Sequence, residues 1–418
     1  MSPSPVDATA RDDRPSLAKR IAFRFVTIYF VAFFFPVPFD APFESPGAPA
    51  WYARLCDPAV NGIGRLLGVR VPLSIVDAGD SLGSYVALLG FAALALAAAI
   101  GWSLADRRRP RDRVAHDLLL VDLRYALAGA LFAFGFAKVF PSQMPLPEPE
   151  RLLDTYGRSA PMTLLWTFMG ASPTYERFTG AAEVLAGLLL LTRRTTPLGA
   201  LVASAVTLHV VVINVAYDVY LKQYATHLFL VSVLLLAPSV PRLFDALVRG
   251  RAVPAVAVET PVPAQWRRAA LALKIAFVGG MLFTQASIAA RHHYEDANAA
   301  PLPDLYGIFD VEEMRRGGEL VPPLLTDSTY WHHVYFGRWK SGVELADGSR
   351  ATLTVSRAGA DAWTLKRDDG ATLSLTRASD GTLRIEGIAE GAPISVRARP
   401  TDVKNIRLVR WRFHWIRL

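Results

Sequence analysis

The chain has 418 residues, of which 52% are hydrophobic and 20% are charged, and its formal net charge is +8 at pH 7. This composition is too apolar for an ordinary soluble protein and favours a membrane protein. The basic residues lie in short connections between apolar runs rather than on one soluble domain, so no nucleic-acid partner is predicted.

Seven apolar runs are each nearly long enough to cross a membrane, which takes about 20 residues for roughly 30 Å of hydrocarbon. The runs cover residues 21–37, 82–104, 118–140, 174–192, 196–217, 225–240 and 269–290, and the sixth is the shortest. They predict a membrane all-α helical bundle of about seven transmembrane helices within residues 20–290, with the lipid bilayer as its surroundings.

Basic residues mark every second connection, which indicates the orientation of the chain. These basic regions are Lys19–Arg24, Arg107–Arg113, Arg193–Arg194 and Arg242–Arg268. Because Lys and Arg favour the cytoplasmic side, the N-terminus is predicted to be cytoplasmic and the C-terminal domain extracytoplasmic. The excess of arginine over lysine is typical of a GC-rich bacterium. The expected location is a bacterial inner (plasma) membrane. Residues 1–19 are predicted to be a disordered cytoplasmic tail.

Two of the outer connections carry apolar segments that are too short to span. Val60–Val69 is amphipathic and predicts a short helix on the outer interface. Met162–Met169 is apolar and predicts a re-entrant or interfacial segment, which must be shielded by protein or water at membrane depth. We expect the two connections to cap a shared cavity.

Glu183 is the first ionisable candidate, because charged groups within spans are costly and mark functional sites. It shares one helix face with Gly180 and Gly187, so a neighbouring helix can approach closely around the carboxylate. The spacing leaves two interpretations open, an ion pair that holds helices together and a role in proton or substrate handling.

Arg124 and Lys138 lie on the third run and nearly share a face. Lys138 is close to the end of the run, where its long side chain can reach outward to the interface. Arg124 lies deeper and is the expected partner of Glu183.

A polar stripe follows on the fifth run, where Asn214, Asp218 and Lys222 recur at intervals of four residues. The stripe can line an outward-facing cavity, or Asp218 and Lys222 can form an interfacial pair. His209 and His227 lie at different depths, which argues against a haem with two axial histidines. Each histidine is either a hydrogen-bonded structural group or part of a proton relay.

Beyond His292 the pattern changes to period-two alternation. It is clearest in Thr352–Val355, Thr372–Leu375 and Ile394–Val396. Turns are predicted at Asp347-Gly348, Asp369-Gly370 and Asp380-Gly381. Together these features predict an all-β antiparallel meander of about six to eight strands within residues 291–418, as a small barrel or sandwich. The closing segment Trp411–Ile416 is expected to pack into this domain or touch the bilayer.

Metal and thiol chemistry receive little support from the sequence. His292-His293 and His332-His333 are adjacent pairs, and neighbouring side chains in a strand point to opposite faces, so no metal site is predicted. The single cysteine, Cys56, excludes an intramolecular disulfide, a CxxC pair and a cysteine-ligated iron–sulfur cluster within the chain.

Four local features carry a family resemblance. They are Arg124-Tyr125 at the opening of a span, Gly135–Lys138 near its end, the helix of Glu183–Gly187 followed by Arg193-Arg194, and a polar end to the next helix. In these features the chain resembles the DoxX family of small bacterial membrane proteins, with the four-helix core at about residues 118–240. That family is associated with redox complexes, including a subunit of a thiosulfate–quinone oxidoreductase.

The resemblance implies a subunit or partner of a membrane redox system, quinone- or thiol-linked, with quinone as the candidate cofactor and a membrane or periplasmic oxidoreductase as the partner. It transfers Glu183, Arg124 and Lys138 as site candidates, whereas the lone Cys56 departs from a thiol relay.

Two alternatives remain open from the sequence. One is a membrane enzyme that acts on a lipid-soluble substrate with Glu183 or His209 as general base. The other is a small-solute transporter whose path is lined by Asn214, Asp218 and Lys222, although no convincing internal repeat favours transport.

Overall fold

A computed structural model describes residues 16–34, 50–74, 79–105, 112–254, 263–295, 299–324 and 326–410. Most of the predicted tail, the basic run at 107–111 and the closing segment at 411–416 lie outside these residues. The chain divides into two compact units. The first unit comprises Met1–Val139 and Phe178–Ala289, and the second comprises Phe140–Arg177 and Ala290–Leu418.

The described residues contain twelve α-helices. They are α1 Leu17–Phe34, α2 Ala50–Leu66, α3 Leu82–Ala105, α4 Asp112–Val139, α5 Pro149–Leu152, α6 Pro161–Gly170, α7 Pro173–Leu190, α8 Thr196–Ala216, α9 Lys222–Leu236, α10 Val240–Leu247, α11 Arg267–Glu295 and α12 Arg407–Arg410. The amphipathic segment predicted within residues 60–69 forms the second half of α2, and the short apolar segment predicted within 162–169 forms α6.

Five helical segments are long and apolar enough to cross a membrane, which indicates a multi-pass membrane protein. They are Leu82–Ala105, Asp117–Val139, Thr196–Ala216, Lys222–Leu247 and Ala264–Glu295. The predicted runs at 21–37 and 174–192 form α1 and α7, but each of these 18-residue helices carries three charged side chains. The count of seven crossings therefore stays a prediction. The run at 225–240, which was expected to be the shortest, lies within the 26-residue segment Lys222–Leu247.

The core of the first unit is formed by α1, α4, α7, α8 and α9. Leu123, Leu127 and Phe132 of α4 are fully buried in it. Small residues let helices approach closely in a membrane bundle. Two serines meet in this way between α8 and α9, where the Ser204 hydroxyl donates to Ser232 Oγ at 2.9 Å. This packing places α4 among α1, α7 and α9, where the ionisable candidates lie.

The second unit contains an antiparallel β-barrel, which confirms the predicted β meander and selects the barrel over the sandwich. Its strands are β1 Gly307–Arg316, β2 Glu319–Leu320, β3 Trp331–Phe336, β4 Ser341–Leu345, β5 Arg350–Arg357, β6 Ala362–Arg367, β7 Thr372–Arg377, β8 Leu383–Ala389 and β9 Ala392–Pro400. Strand β1 pairs with both β3 and β9, so the sheet closes, and β2 only extends β1 as a short hairpin.

The barrel interior is filled by apolar side chains rather than by a channel. Met314, Trp331, Leu365, Leu375 and Val396 are each no more than 1% exposed. Alternation along the strands, interrupted by register shifts in β1 and β3, directs these residues inward and the polar residues outward. All three predicted Asp-Gly turns have a glycine with positive φ, at which any other residue would be strained.

Residues 140–177 belong to the same compact unit as the barrel, although the sequence placed them among the membrane connections. Glu148, next to α5, is buried, and its Oε1 accepts from Nη1 of Arg338 at 2.7 Å. Its Oε2 accepts from the backbone N–H of Arg338 at 2.9 Å. This bidentate contact fixes the segment to the loop after β3.

The strict alternation expected around His332 and His333 is contradicted by the structure. The β3–β4 ladder has a bulge between Trp331 and His333, so Trp331 and Val334 are both buried although they are three residues apart. A bulge adds one residue to a strand and re-aims the side chains beside it. The two imidazole rings consequently lie with their centroids 4.0 Å apart.

Candidate functional site

A buried ion pair between α4 and α7 is the centre of the candidate site. Lys138 Nζ donates to both carboxylate oxygens of Glu183, at 2.9 Å to Oε1 and 2.8 Å to Oε2. The two side chains are only 9% and 5% exposed. Nζ also donates to the carbonyl oxygen of Phe134 at 3.3 Å, so all three of its protons have acceptors.

Glycines bring the two helices together around this pair, as the shared face of Gly180 and Gly187 predicted. A Cβ on Gly180 would lie 2.5 Å from the carbonyl oxygen of Gly135, and a Cβ on Gly187 would lie 2.7 Å from the ring of Phe132. A larger residue at Gly180 would push against the backbone of α4, and one at Gly187 would have to displace the ring of Phe132. The close approach is therefore encoded locally, by small residues that face the carboxylate.

The expected partner of Glu183 was wrong. The guanidinium of Arg124 lies 5.1 Å over the ring of Tyr125, and its buried Nε has no hydrogen-bond partner within the described residues. Lys138 does not reach outward but folds back onto Glu183. Glu183 pairs with Lys138 rather than Arg124 because of the position along α4 at which α7 crosses it. Gly135 of α4 meets Gly180 of α7, and this contact places Lys138 opposite Glu183.

A series of aromatic rings extends from the ion pair across α4, α9 and α1. Lys138 Nζ lies 5.6 Å from the ring centre of Phe134, which lies 6.0 Å from that of Tyr224. The ring of Tyr224 is 6.2 Å from that of Phe33, which stacks on His227 at 3.9 Å with an interplanar angle of 11°.

His227 ends this series in a defined hydrogen-bonded state. Its Nδ1 lies 2.7 Å from the carbonyl oxygen of Gln223, which can only accept, so Nδ1 carries the proton. In the neutral imidazole Nε2 then accepts from the hydroxyl of Tyr29, at 2.7 Å. These hydrogen bonds fit both interpretations that the sequence left open for His227, a structural histidine and a member of a proton relay.

We refer to these residues together as the polar–aromatic band. Its members are Tyr29, Phe33, Phe134, Lys138, Glu183, Tyr224 and His227, all in the first unit. Its four aromatic residues are half-buried, whereas Lys138, Glu183 and His227 are buried. The band thus combines ring faces that a flat apolar ligand can stack on with a cationic donor, a carboxylate and an imidazole.

The remaining candidates do not join the band. Asn214, Asp218 and Lys222 were expected on one helix, but α8 ends at Ala216, and Asp218 lies in the turn before α9 with a φ of 53°. Asn214 Nδ2 donates to the carbonyl oxygen of Leu221 at 3.2 Å, and Lys222 Nζ pairs with Asp218 Oδ1 at 2.7 Å. These contacts close the turn between α8 and α9 rather than line a path.

His209 does not join the band either, because its side chain is exposed on α8. The alternative with Glu183 or His209 as general base stays a prediction.

Two kinds of residue in this region escaped the sequence analysis. Asp80 accepts from the backbone N–H groups of Lys222 and Gln223 at 2.8 and 2.9 Å and so caps the start of α9. The position of Asp80 in the connection just before the apolar run at 82–104 was the one sequence feature that could have indicated a capping role. The ring series of the band had no signal, because its members are far apart in the chain and aromatic residues in apolar runs are common.

Comparison with known proteins gives one informative match. The "Uncharacterized protein YwoB" of Bacillus subtilis (strain 168) is 36% identical over 113 residues, which make up 27% of this chain and 71% of YwoB. No family model matches the chain. No solved structure matches it significantly.

Proposed function

This chain belongs to the same family as the uncharacterized protein YwoB, and from the geometry of the polar–aromatic band we propose that it is a membrane subunit or partner of a quinone-linked redox system. The polar–aromatic band is its quinone site. The resemblance to the DoxX family, which rests on Glu183–Gly187, Arg124 and Lys138, supports the same assignment.

The single observation that carries this proposal is the buried pair of Lys138 and Glu183 at the end of a series of rings. A quinone has a flat ring and two carbonyl oxygens, so it needs aromatic faces to stack on and hydrogen-bond donors at its oxygens. The faces of Phe134 and Tyr224 meet the first need. The Lys138 ammonium meets the second when a quinone oxygen replaces the carbonyl oxygen of Phe134, which is its longest acceptor contact at 3.3 Å.

Quinone reduction also needs protons. One quinone takes up two electrons and two protons to give one quinol, with each proton bound to one carbonyl oxygen. Glu183 and His227 are groups that can hold and pass protons, and they lie at the two ends of the band. The electrons come from a partner, a membrane or periplasmic oxidoreductase, or pass to one when quinol is oxidised.

The membrane arrangement that goes with this function has seven crossings in a bacterial inner membrane. α1 and α7 join the five apolar segments as crossings, because their charged residues Arg24 and Glu183 are buried within the first unit rather than exposed to lipid. The positive-inside rule then places the N-terminus in the cytoplasm and the barrel on the extracytoplasmic side.

The test is quinone content after purification. The full-length protein is solubilised from native membranes in mild detergent, and quinone is extracted and quantified per chain for the wild type, Glu183→Gln and Phe33→Leu. Asp218→Asn is the matched control, since it removes a carboxylate from an exposed ion pair outside the band. We expect quinone in the wild type and the control, and its loss in both band variants.

If Glu183→Gln lowers the stability of the protein, loss of quinone in that variant has two explanations. Phe33→Leu separates them, because it removes only a half-buried ring from the band. A wild-type protein that is free of quinone, or equal quinone content in all four proteins, would overturn the proposal.

A further inference from the structure

The bulge in β3 brings three metal-ligand side chains together on the barrel. The candidate ligand atoms of His332, His333 and Glu344 all lie within 4.8 Å of one another. His332 comes from the position next to the bulge, His333 follows it, and Glu344 lies opposite His333 in the β3–β4 ladder. Without the bulge, the two imidazoles would lie on opposite faces of the sheet.

Surrounding groups hold two of these side chains in fixed orientations. Glu344 Oε1 accepts from Arg350 Nη2 at 3.1 Å, and Arg350 is itself held by Asp154 through an Nη1–Oδ1 contact of 2.7 Å. The other oxygen, Glu344 Oε2, lies 2.9 Å from Nδ1 of His333. Because Arg350 occupies one oxygen, the second one points at the histidines.

Asp310 completes the arrangement from the neighbouring strand β1. Its Oδ1 lies 3.2 Å from Nε2 of His333. Histidines that bind metals commonly donate their other ring N–H to a carboxylate, which fixes the tautomer and the ring orientation. Asp310 stands in that relation to His333, on the side of the ring that faces away from Glu344.

We propose that His332, His333 and Glu344 bind a divalent first-row transition-metal ion, with His333 coordinating through Nδ1 while Nε2–H donates to Asp310. Two imidazoles and one carboxylate are the ligand set that such ions prefer, and Zn²⁺ is the natural probe. Ligand atoms about 2.0–2.2 Å from a tetrahedral Zn²⁺ lie roughly 3.3–3.6 Å apart. The 2.9 Å between His333 Nδ1 and Glu344 Oε2 would widen slightly to reach that value, and a separation at the 4.8 Å limit would shorten by roughly 1 Å.

The site is open to solvent on one side. His332 is exposed, whereas His333 and Glu344 are half-buried. Three protein ligands leave at least one coordination position for water or an external ligand, as in the zinc sites that do chemistry rather than only hold a fold. This proposal is independent of the quinone site, because all of its residues belong to the second unit.

The experiment is a Zn²⁺ titration of the full-length, tag-free protein in detergent, after treatment with a chelator and desalting, read by competition with a chromogenic chelator. The wild type is expected to bind one Zn²⁺ per chain. His332→Ala and Glu344→Gln should each weaken binding by more than about 10-fold, and Asp310→Asn by about 10- to 100-fold. His292→Ala is the matched control, an exposed histidine outside the cluster, and its affinity should equal that of the wild type.

Folding does not confound the result, because His332 is exposed and its truncation leaves the barrel interior intact. A second readout is Co²⁺, whose visible absorption reports the coordination geometry and should disappear in His332→Ala. Wild-type affinity in His332→Ala would overturn the proposal, and so would a wild-type protein with an intact barrel that binds neither ion.

Discussion

The buried pair of Lys138 and Glu183 allows a double-mutant test that separates a structural role from a functional one. Lys138→Met leaves the Glu183 carboxylate, 5% exposed, without its cation. Loss of one partner from a buried ion pair costs about 3–5 kcal/mol, since the remaining charge stays desolvated. At the Nζ–Oε2 distance of 2.8 Å, two unit charges attract each other by roughly 6 kcal/mol with an effective dielectric constant of about 20, which is the same order of magnitude.

The corresponding change in melting temperature is large enough to measure. A unit of this size shifts by about 2–4 °C for each kcal/mol, so Lys138→Met should lower the melting temperature of the first unit by roughly 6–20 °C. The double variant Lys138→Met/Glu183→Leu removes both charges and should return to within about 1 kcal/mol of the wild type, because neither group then has to be desolvated. Thermal unfolding in detergent or nanodiscs, followed by size-exclusion chromatography, is measured for the wild type, Lys138→Met, Glu183→Leu and the double variant.

One outcome would contradict the coupling of the two side chains, and another would contradict their role in quinone binding. If the effects of the single variants simply add in the double variant, the two side chains are not coupled in a buried pair. If the double variant regains both stability and bound quinone, the pair only holds α4 and α7 together. The proposed function requires that stability returns and quinone does not.

Three further predictions concern packing, pH and the segment attached to the barrel. Gly180→Ala should destabilise the first unit by about 1–3 kcal/mol, because its Cβ would lie 2.5 Å from a carbonyl oxygen of α4. The control Gly101→Ala, with nothing within 4 Å, should be neutral or stabilising by up to about 1 kcal/mol in the same melting assay; equal effects would contradict this packing. Burial, together with the nearby Glu148 carboxylate, raises the pKa of Tyr306 to about 12. Since this pKa is raised, the neutral phenol contributes its stability fully below the unfolded value of about 10, and the contribution is lost as the pH rises toward 12. The difference in tyrosinate absorption between the wild type and Tyr306→Phe isolates this one of the 13 tyrosines. That difference should grow only above about pH 11, whereas a difference that grows near pH 10 would contradict the prediction. Arg338→Leu leaves the buried Glu148 unpaired and should cost about 3–5 kcal/mol; limited proteolysis within residues 140–177 should become faster, and unchanged protection would count against the pairing.

Local signals in the sequence predicted the elements well. Period-two alternation and the Asp-Gly turns predicted the strands, because each signal is contained in a few neighbouring residues. Closure of the barrel could not be predicted in this way, since β1 and β9 are joined by pairs such as Asp310 with Arg399 that lie far apart in the chain. The bulge left one unused signal, the three-residue interval between the buried Trp331 and Val334.

The candidate site was predicted only in part, for a related reason. The spacing of Gly180 and Glu183 defines a helix face, and that face is where α4 approaches. Helical periodicity does not give the position along the helix axis at which two helices cross. Arg124 rather than Lys138 was therefore the expected partner of Glu183. The ring of Phe33 meets His227 from a different helix, a contact that no spacing within one apolar run can reveal.

The second unit is built from two segments that are far apart in the chain, and this limits the order in which the protein can fold during synthesis. Residues Phe140–Arg177 leave the ribosome early, yet the barrel with which they form one unit is complete only when β9, Ala392–Pro400, has been made. At about 5–20 residues per second, this segment waits roughly 10–40 s for its partner. During that interval the carboxylate of Glu148 is without Arg338, and α5 is without its contacts to β3. We therefore expect nascent chains that are arrested before β9 to be sensitive to protease in this segment and to recruit chaperones there.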